Sequence, residues 1–505
     1  MVTTGGQGPR DTLNGVETMS QTSTNEVSAP PLKSDLERNA IGLTGALMQN
    51  ITHISPAIAA FFYTAVVVGY AGVTAPLAYF AGFLVVLMLG NSLIQLSKHM
   101  SSAGGYYTYV SRAIHPRAGF MTSWMYILYS PLCAGPIYGF FGFILEGQLK
   151  SYYNINVPWL WAACIIIGAP LIAFVQHRGI KLSAEFMLIT GGLELLIVMA
   201  LGLSGLASPG PGGLNLTPFN PLAIGTAAGF ALAIVFNVQG LTGWEAAAPL
   251  AEETADPKRN VPRAVVLSIV VVGMFLVIVF WGQVIGFGTA DISKITSSTE
   301  LPALVLAHRI WGPVWWILLF AFLNSVFGVT LATANVSTRM WYGMGRSGSF
   351  PKALAKVHPG YKSPTNAILL QMALSLVVAL LVGFWLGPDV SFYLIDGLIL
   401  VIGVTIVYLL ANVAVWMFYR GEHRAEFNWL LHAGFPLISS VVLILAIWFT
   451  FFPPAGFGSP PAAPYSWAPF IDGAWFVLGV IILFWMRARG QEEWLLNAGE
   501  SVGEA

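Results

Sequence analysis

Long apolar runs separated by short polar gaps occupy most of this chain, and a run of roughly 20 such residues can cross a bilayer as a helix. The predicted spans are Ile41 to Val68, Thr74 to Leu96, Ala118 to Leu145, Trp159 to Val175, Gly179 to Leu206 and Leu222 to Ala248. They continue with Ala264 to Ile285, Val314 to Met344, Thr365 to Leu386, Phe392 to Phe418, Phe435 to Phe452 and Pro469 to Met486, about twelve in all. The first ten are crowded with Gly, Pro and small polar residues, whereas the last two are plain apolar helices. The Pro/Gly-rich stretch ASPGPGGLNLTPFN after Leu206 divides five spans from the next five. The pattern predicts an all-α integral membrane protein with a core over 36–418, its halves 36–206 and 222–418 related as a five-plus-five inverted repeat, and two accessory helices over 419–487.

Composition agrees with lipid as the main solvent, since 56% of residues are hydrophobic and only 9% charged, against about 25% charged in an ordinary soluble domain. Net charge is zero, with 23 basic and 23 acidic residues, so no global field points to nucleic acid or another highly charged partner. Where the charges fall says more. With the N-terminus inside, the predicted outer loops hold only Lys150, Lys294 and Arg309, and all other Lys and Arg residues lie in tails, inner loops or inner helix ends. The positive-inside rule then places both termini in the cytoplasm of a bacterial-type inner (plasma) membrane. The polar segment over 1–35 reads as a disordered cytoplasmic tail without a cleavable signal peptide, and 488–505 as a second cytoplasmic tail. Cys133 and Cys164 both sit in apolar runs and are expected to be small core residues rather than a disulfide or zinc pair.

Two spans carry interruptions, each the first of its half. Span one contains QNITHISPAIAAF, in which Pro56 lacks a backbone donor and disfavours helix at the residue before it. Span six contains NVQGLTGWEAAAP, in which Gly240 and Gly243 let the backbone leave the helix. Breaks in matching positions near the midplane free backbone N–H and C=O groups for a substrate or an ion.

Three further stretches follow in order: SAGGYYTYVSRAIHP (102–116), GWEAAAPLAEETADPKRNVPRA (243–264) and STRMWYGMGRSGSFPKALAKVHP (337–359). Together they resemble the first inner loop, the sixth span with its following loop, and the end of the eighth span in the amino acid, polyamine and organocation transporter superfamily, over Leu36 to Pro364. The resemblance implies a leucine-transporter-like fold with broken helices one and six. It also implies a substrate site at Ser55, Ala57, Ile58 and Ala59 of span one and at Gln239, Gly240 and Thr242 of span six, with Thr333 of span eight. The family's Gly-Ser-Gly type turn, whose N–H groups bind a substrate carboxylate, is replaced here by Ser55 to Ala59, so the donors are kept without the glycine flexibility. In an arginine/agmatine antiporter of the family, aromatic residues stand where this chain resembles it with Gln239 and Thr333. That departure argues against guanidinium substrates and for neutral amino acids or small amino-acid-derived amines.

Ionisable groups inside a membrane are costly and mark function by default. Glu245 directly follows the span-six break and is similar in position to a gating glutamate that works with two tyrosines, which Tyr126 and Tyr408 resemble. Glu194 lies mid-span where some family members carry a lysine, and it is expected either to take up a proton or cation or to form a buried interhelical hydrogen bond. His53, one turn before the span-one break, is read either as a titrating group or as a histidine bonded to a carbonyl. Trp244, Phe236, Phe327 and Asn324 are expected at the outer vestibule or gate. His177, His358, His423 and His432 sit at inner edges with spacings that form no metal site. No HExxH motif or nucleophile and base pairing is present, so the chain is not read as an enzyme.

The expected function is secondary active transport of amino acids or amines by alternating access, as a proton-coupled symporter with sodium left open. An amino acid/amine exchanger is the alternative, and a non-transporting membrane sensor the reading from another class. The expected partners are a small-molecule substrate and the lipid bilayer, with no nucleic acid, no cofactor and no metal; oligomeric state is not legible.

Overall fold

The computed structural model describes residues 34–500 apart from 298, 299 and 457, with the backbone alone at 129–131. The tail expected over 1–35 therefore lies almost wholly outside the described residues, as do the last five residues of 488–505. The first half comprises α1 (Leu43–Ile54), α2 (Pro56–Ala71), α3 (Ala75–Ser97), α4 (Tyr106–Ala113), α5 (Pro116–Tyr153), α6 (Leu160–His177) and α7 (Ile180–Ala207). The second comprises α8 (Ala227–Gly240), α9 (Pro257–Phe287), α10 (Ser293–Ser297), α11 (Pro302–Trp311), α12 (Trp316–Ser347), α13 (Thr365–Leu386), α14 (Pro388–Phe392) and α15 (Leu400–Gly421). α16 (Phe435–Phe451) and α17 (Ala468–Ala488) follow, and a single isolated bridge between Ile41 and Thr254 is the β pairing recorded among the described residues.

Among the described residues, ten helical segments are long and apolar enough to span a membrane. The segment Leu43–Ser97 contains two predicted spans, and the shorter Ala227–Gly240 with its continuation supplies span six, so every predicted span has a helical counterpart. Their outer faces carry large apolar side chains in the open, among them Ile167 at 67%, Leu381 at 66% and Phe384 at 73% exposure. Gln49, Asn50, Gln283 and Asn335 are meanwhile fully buried. Apolar groups outside and paired polar groups inside is the arrangement that a hydrocarbon solvent favours.

Packing repeats between the halves with roles exchanged. α1 lies against α9 as α8 lies against α3; α7 contacts α9 as α15 contacts α3; and α7 meets α12 as α15 meets α5. A five-span repeat produces this pattern. Span six departs from its expected end at Ala248: helical bonding stops at Gly240, turns follow, and a buried 3-10 stretch runs from Ala248 to Glu253. Span seven starts at Pro257 instead of Ala264: Pro257 opens the helix at a position that needs no N–H, and the helix continues through Pro262. Span ten begins with α14 and a π-helical segment, Tyr393–Ile399, before α15. The outer loop after span seven, read as loop from its charges, holds α10 and α11.

Candidate functional site

The span-one break falls where Pro56 requires it. α1 ends at Ile54, Ser55 takes the left-handed conformation (φ 57°, ψ 71°), and Pro56 opens α2 at a position that needs no donor. In span six the matching break is at Gly243, with φ 120°, a backbone that glycine adopts without a Cβ penalty. The two breaks touch. A Cβ on Gly243 would lie 2.6 Å from the His53 carbonyl carbon and 2.7 Å from the Ile54 nitrogen, so the close approach needs a hydrogen at that position.

Interrupted helices leave backbone donors that must find acceptors when buried. Here side chains supply several. Ala57 N–H donates to Glu194 Oε1 at 2.7 Å, and the Ser325 hydroxyl donates to the same oxygen at 2.7 Å. The Ser55 and Ser325 hydroxyls are 2.5 Å apart, so spans one, five and eight are joined at the first break. At the second break Ala247 N–H donates to Asn50 Oδ1 at 2.7 Å, and Gly243 N–H to Glu245 Oε2 at 3.2 Å.

Beside the breaks lies a cavity of about 540 Å³. Its wall includes Ser55, Ile58, Ala59, Gln239, Gly240, Thr242 and Thr333, together with His53 and Glu245, which gathers most of the residues singled out from sequence. Ala57 is the exception among the expected substrate contacts: it is buried off the wall, and its N–H is committed to Glu194. Glu194, Tyr126, Tyr408 and Trp244 also stand off the wall. Glu194 is the interhelical hydrogen-bond acceptor just described. Tyr126 and Tyr408 bring their phenols to the Glu245 carboxylate, and Trp244 stacks on Tyr408 with centroids 5.1 Å apart. The expected glutamate–tyrosine cluster is therefore assembled in space. The His53 ring reaches the Gly243 backbone, while its Nδ1 is buried with no partner among the described residues.

The expected vestibule set is divided. Phe236 lines the cavity and stacks on Tyr70 at 5.2 Å. Phe327 packs on Phe186 at 4.6 Å, and Asn324 Nδ2 donates to the Thr190 carbonyl at 2.6 Å. Both therefore belong to the contact between α12 and α7, because span eight turns that face toward span five.

One charged wall residue was not anticipated. Asp396, in the π-helical segment of span ten, lines the cavity, and neither of its carboxylate oxygens has a hydrogen-bonding nitrogen or oxygen among the described residues. Its polar neighbour is the Cys133 thiol, so Cys133, expected to be only a core residue, lies on the cavity wall too. The signal was present in sequence as the single acid in the apolar run SFYLIDGLIL.

The three quoted stretches meet at the charged end of the bundle. Arg339 and Glu253 form a two-pronged ion pair at 2.8 and 3.2 Å, with both side chains at most 1% exposed. Arg346 grips Glu252 at 2.6 and 2.8 Å, and Glu252 Oε1 also accepts Ala103 N–H at 2.8 Å. The Ile41 carbonyl accepts Ala255 N–H at 2.8 Å, which ties the start of span one to the end of span six. These contacts hold the charged end of the bundle together, while the cavity lining extends to Val66, Tyr393, Pro461 and Tyr465.

At the same charged end His99, His423 and Glu426 each bring a ligand atom within 4.8 Å of the others. The spacing argument over His423 weighed the inner-edge histidines without His99, a residue that folding alone brings near. His99 Nε2 already lies 3.0 Å from the Tyr419 hydroxyl and 3.5 Å from Glu426.

Similarity to known proteins matches this geometry. The Amino acid permease family model matches residues 45–495, which extends past Pro364 to include α16 and α17. The low-affinity putrescine importer PlaP of Escherichia coli is 27% identical over 349 residues, covering 67% of this chain and 74% of its own. The mouse Asc-type amino acid transporter 1 is 25% identical over 294 residues, 57% of this chain and 54% of its own. The branched-chain amino acid permease BcaP of Bacillus subtilis is 24% identical over 316 residues, 58% and 64% respectively. With the family model spanning nearly the whole helical bundle, this chain belongs to the amino acid permease family, a multi-pass membrane transporter and not an enzyme.

Proposed function

We propose that this protein is a secondary active transporter that carries amino acids or small amino-acid-derived amines by alternating access, coupled to inward proton movement. The observation that carries the proposal is the cavity set against two broken helices that touch at Gly243 and His53. Backbone groups released by paired breaks are a binding device of repeat-built transporters. The relatives' names span both substrate kinds, putrescine for PlaP and branched-chain amino acids for BcaP.

The charged end faces the cytoplasm of a bacterial-type inner membrane in this reading, with both tails on that side. The conformation described then receives substrate from outside. Opening inward requires the contacts of Arg339 with Glu253 and of Arg346 with Glu252 to rearrange, while the Glu245 cluster at the span-six break changes its bonding. A carboxyl that gains or loses a proton changes what it can donate and accept, so Glu245, held between Tyr126 and Tyr408, is positioned to link protonation to the break.

Uptake into proteoliposomes from a panel of amino acids and amines tests this, with a proton gradient, a sodium gradient or internal substrate imposed separately. Accumulation driven by the proton gradient is expected. Binding without accumulation under any of the three would indicate a sensor, and transport only against internal substrate would indicate an exchanger.

A further inference from the structure

The cavity wall holds an unusual balance of groups. Two carboxylates, Glu245 and Asp396, line it, while no Lys or Arg among the described residues does. Phe62, Tyr63, Phe236 and Phe392 add aromatic surface, which attracts cations through the ring faces. Each of these features favours a positive group and disfavours a negative one.

A free α-amino acid would bring a carboxylate that needs donors. Ala57 N–H stands where such a donor was expected, yet it already serves Glu194 Oε1 at 2.7 Å, together with the Ser325 hydroxyl. The protein's own carboxylate fills that position. A second carboxylate beside it would meet like charge, with the Ala57 N–H already committed.

Asp396 has the opposite need. Its oxygens are buried, only the Cys133 thiol faces them, and a thiol is a weak donor. An ionised carboxylate away from water is costly unless a cation pairs with it, and no Lys or Arg among the described wall residues supplies one. The π-helical segment that carries Asp396 has wider, less regular bonding than an α-helix, a form that recurs at functional sites.

We infer that the cavity takes a primary amine lacking an α-carboxylate, with Asp396 receiving the ammonium and Glu194 holding the donor that an amino acid would require. This rests on the transport reading only in locating the substrate in this cavity. A diamine would set one ammonium on Asp396 and the other near the α1 carbonyl end and Glu245, which line the same cavity. If Asp396 is protonated before binding, its proton leaves as the ammonium arrives, so charge is conserved in the exchange.

The test is equilibrium binding to the purified full-length protein of two matched pairs, putrescine with ornithine and isobutylamine with valine. Each amine should bind at least tenfold more tightly than its parent amino acid. D396N should weaken putrescine at least tenfold while the protein elutes and melts as the wild type does. If D396N is not recovered folded, D396E, which advances the carboxylate by one methylene, should shift preference from 1,4-diaminobutane toward 1,3-diaminopropane. Equal affinity for amine and amino acid, no binding of either, or putrescine affinity within twofold of wild type in D396N would each overturn the inference, as would an unshifted chain-length preference in D396E. Uptake of the same amines into proteoliposomes separates this from the broader reading: tight Asp396-dependent binding without accumulation would sink transport and leave the cation site standing.

Discussion

Replacing Gly243 with Ala should damage this protein more than any comparable change in a glycine facing open space. The added Cβ would sit 2.6 Å from the His53 carbonyl carbon, 2.7 Å from the Ile54 nitrogen and 2.8 Å from the His53 oxygen. Non-bonded carbon contacts settle near 3.5–4.0 Å, so relief requires the breaks to part by about 1 Å. The obstructing atoms are backbone, which cannot swing aside as a side chain can. Overpacking of this kind costs about 1–3 kcal/mol, and a Cβ at φ 120° adds strain of about 1–3 kcal/mol. Together, about 2–6 kcal/mol is a large fraction of the ~5–15 kcal/mol that holds a typical domain folded. Thermal unfolding in detergent should show a clearly lowered midpoint, and uptake into proteoliposomes should fall at least tenfold at matched protein content. Gly192→Ala on α7 is the control, because nothing lies within 4 Å of its added methyl. If Gly243→Ala melted and transported like the control, the touching breaks would not be a real feature of the fold.

Other consequences follow from the same contacts. Glu253→Gln leaves Arg339 buried beside a neutral partner and should destabilise the protein by about 3–5 kcal/mol, whereas the joint change Glu253→Leu with Arg339→Met should cost less than Glu253→Gln alone; denaturation of the three variants checks the order. Glu194→Gln retains an acceptor oxygen for Ala57 N–H and Ser325, so it should keep near-wild-type uptake with unchanged pH dependence. Glu194→Ala strands a buried donor at about 1–3 kcal/mol and should lower the melting midpoint; altered pH dependence in the Gln variant would instead make Glu194 a coupling group. Glu245→Gln should flatten the pH profile of uptake, and a profile parallel to wild type would remove Glu245 from coupling.

What could be read from sequence was whatever depends on local chemistry. Pro56 lacks a backbone donor and disfavours helix at the residue before it, and Ser55 duly leaves the helix there. The apolar runs placed the helices within a few residues because a membrane span needs little beyond length and hydropathy. Pairings between distant segments were not legible. Nothing in GWEAAAP announces that Gly243 must clear His53, and nothing in TGGLELL announces that Glu194 reaches the N–H of Ala57. Glu252, Glu253, Arg339 and Arg346 lay inside stretches quoted for their resemblance, but their charges became informative only once the ion pairs were seen. Asp396 was passed over because the eye reads SFYLIDGLIL as one more apolar span, and the π-helical register that turns it to the cavity has no sequence periodicity of its own. Span six was read too long because Gly243 to Pro249 is apolar enough to continue a helix by composition while its backbone does otherwise.

The central claim is that substrate binds in the cavity beside the two breaks. Single cysteines at Gln239 and at Thr333, introduced with Cys133 and Cys164 replaced by Ser, place a thiol on that wall from spans six and eight. Their modification by a small water-soluble methanethiosulfonate reagent, with and without a saturating transported substrate, measures occupancy directly. Protection of both positions at least threefold is expected, with a cysteine at Gly192 on α7 unaffected. Transport-competent protein whose substrate protects neither position would place the binding site elsewhere and contradict the account.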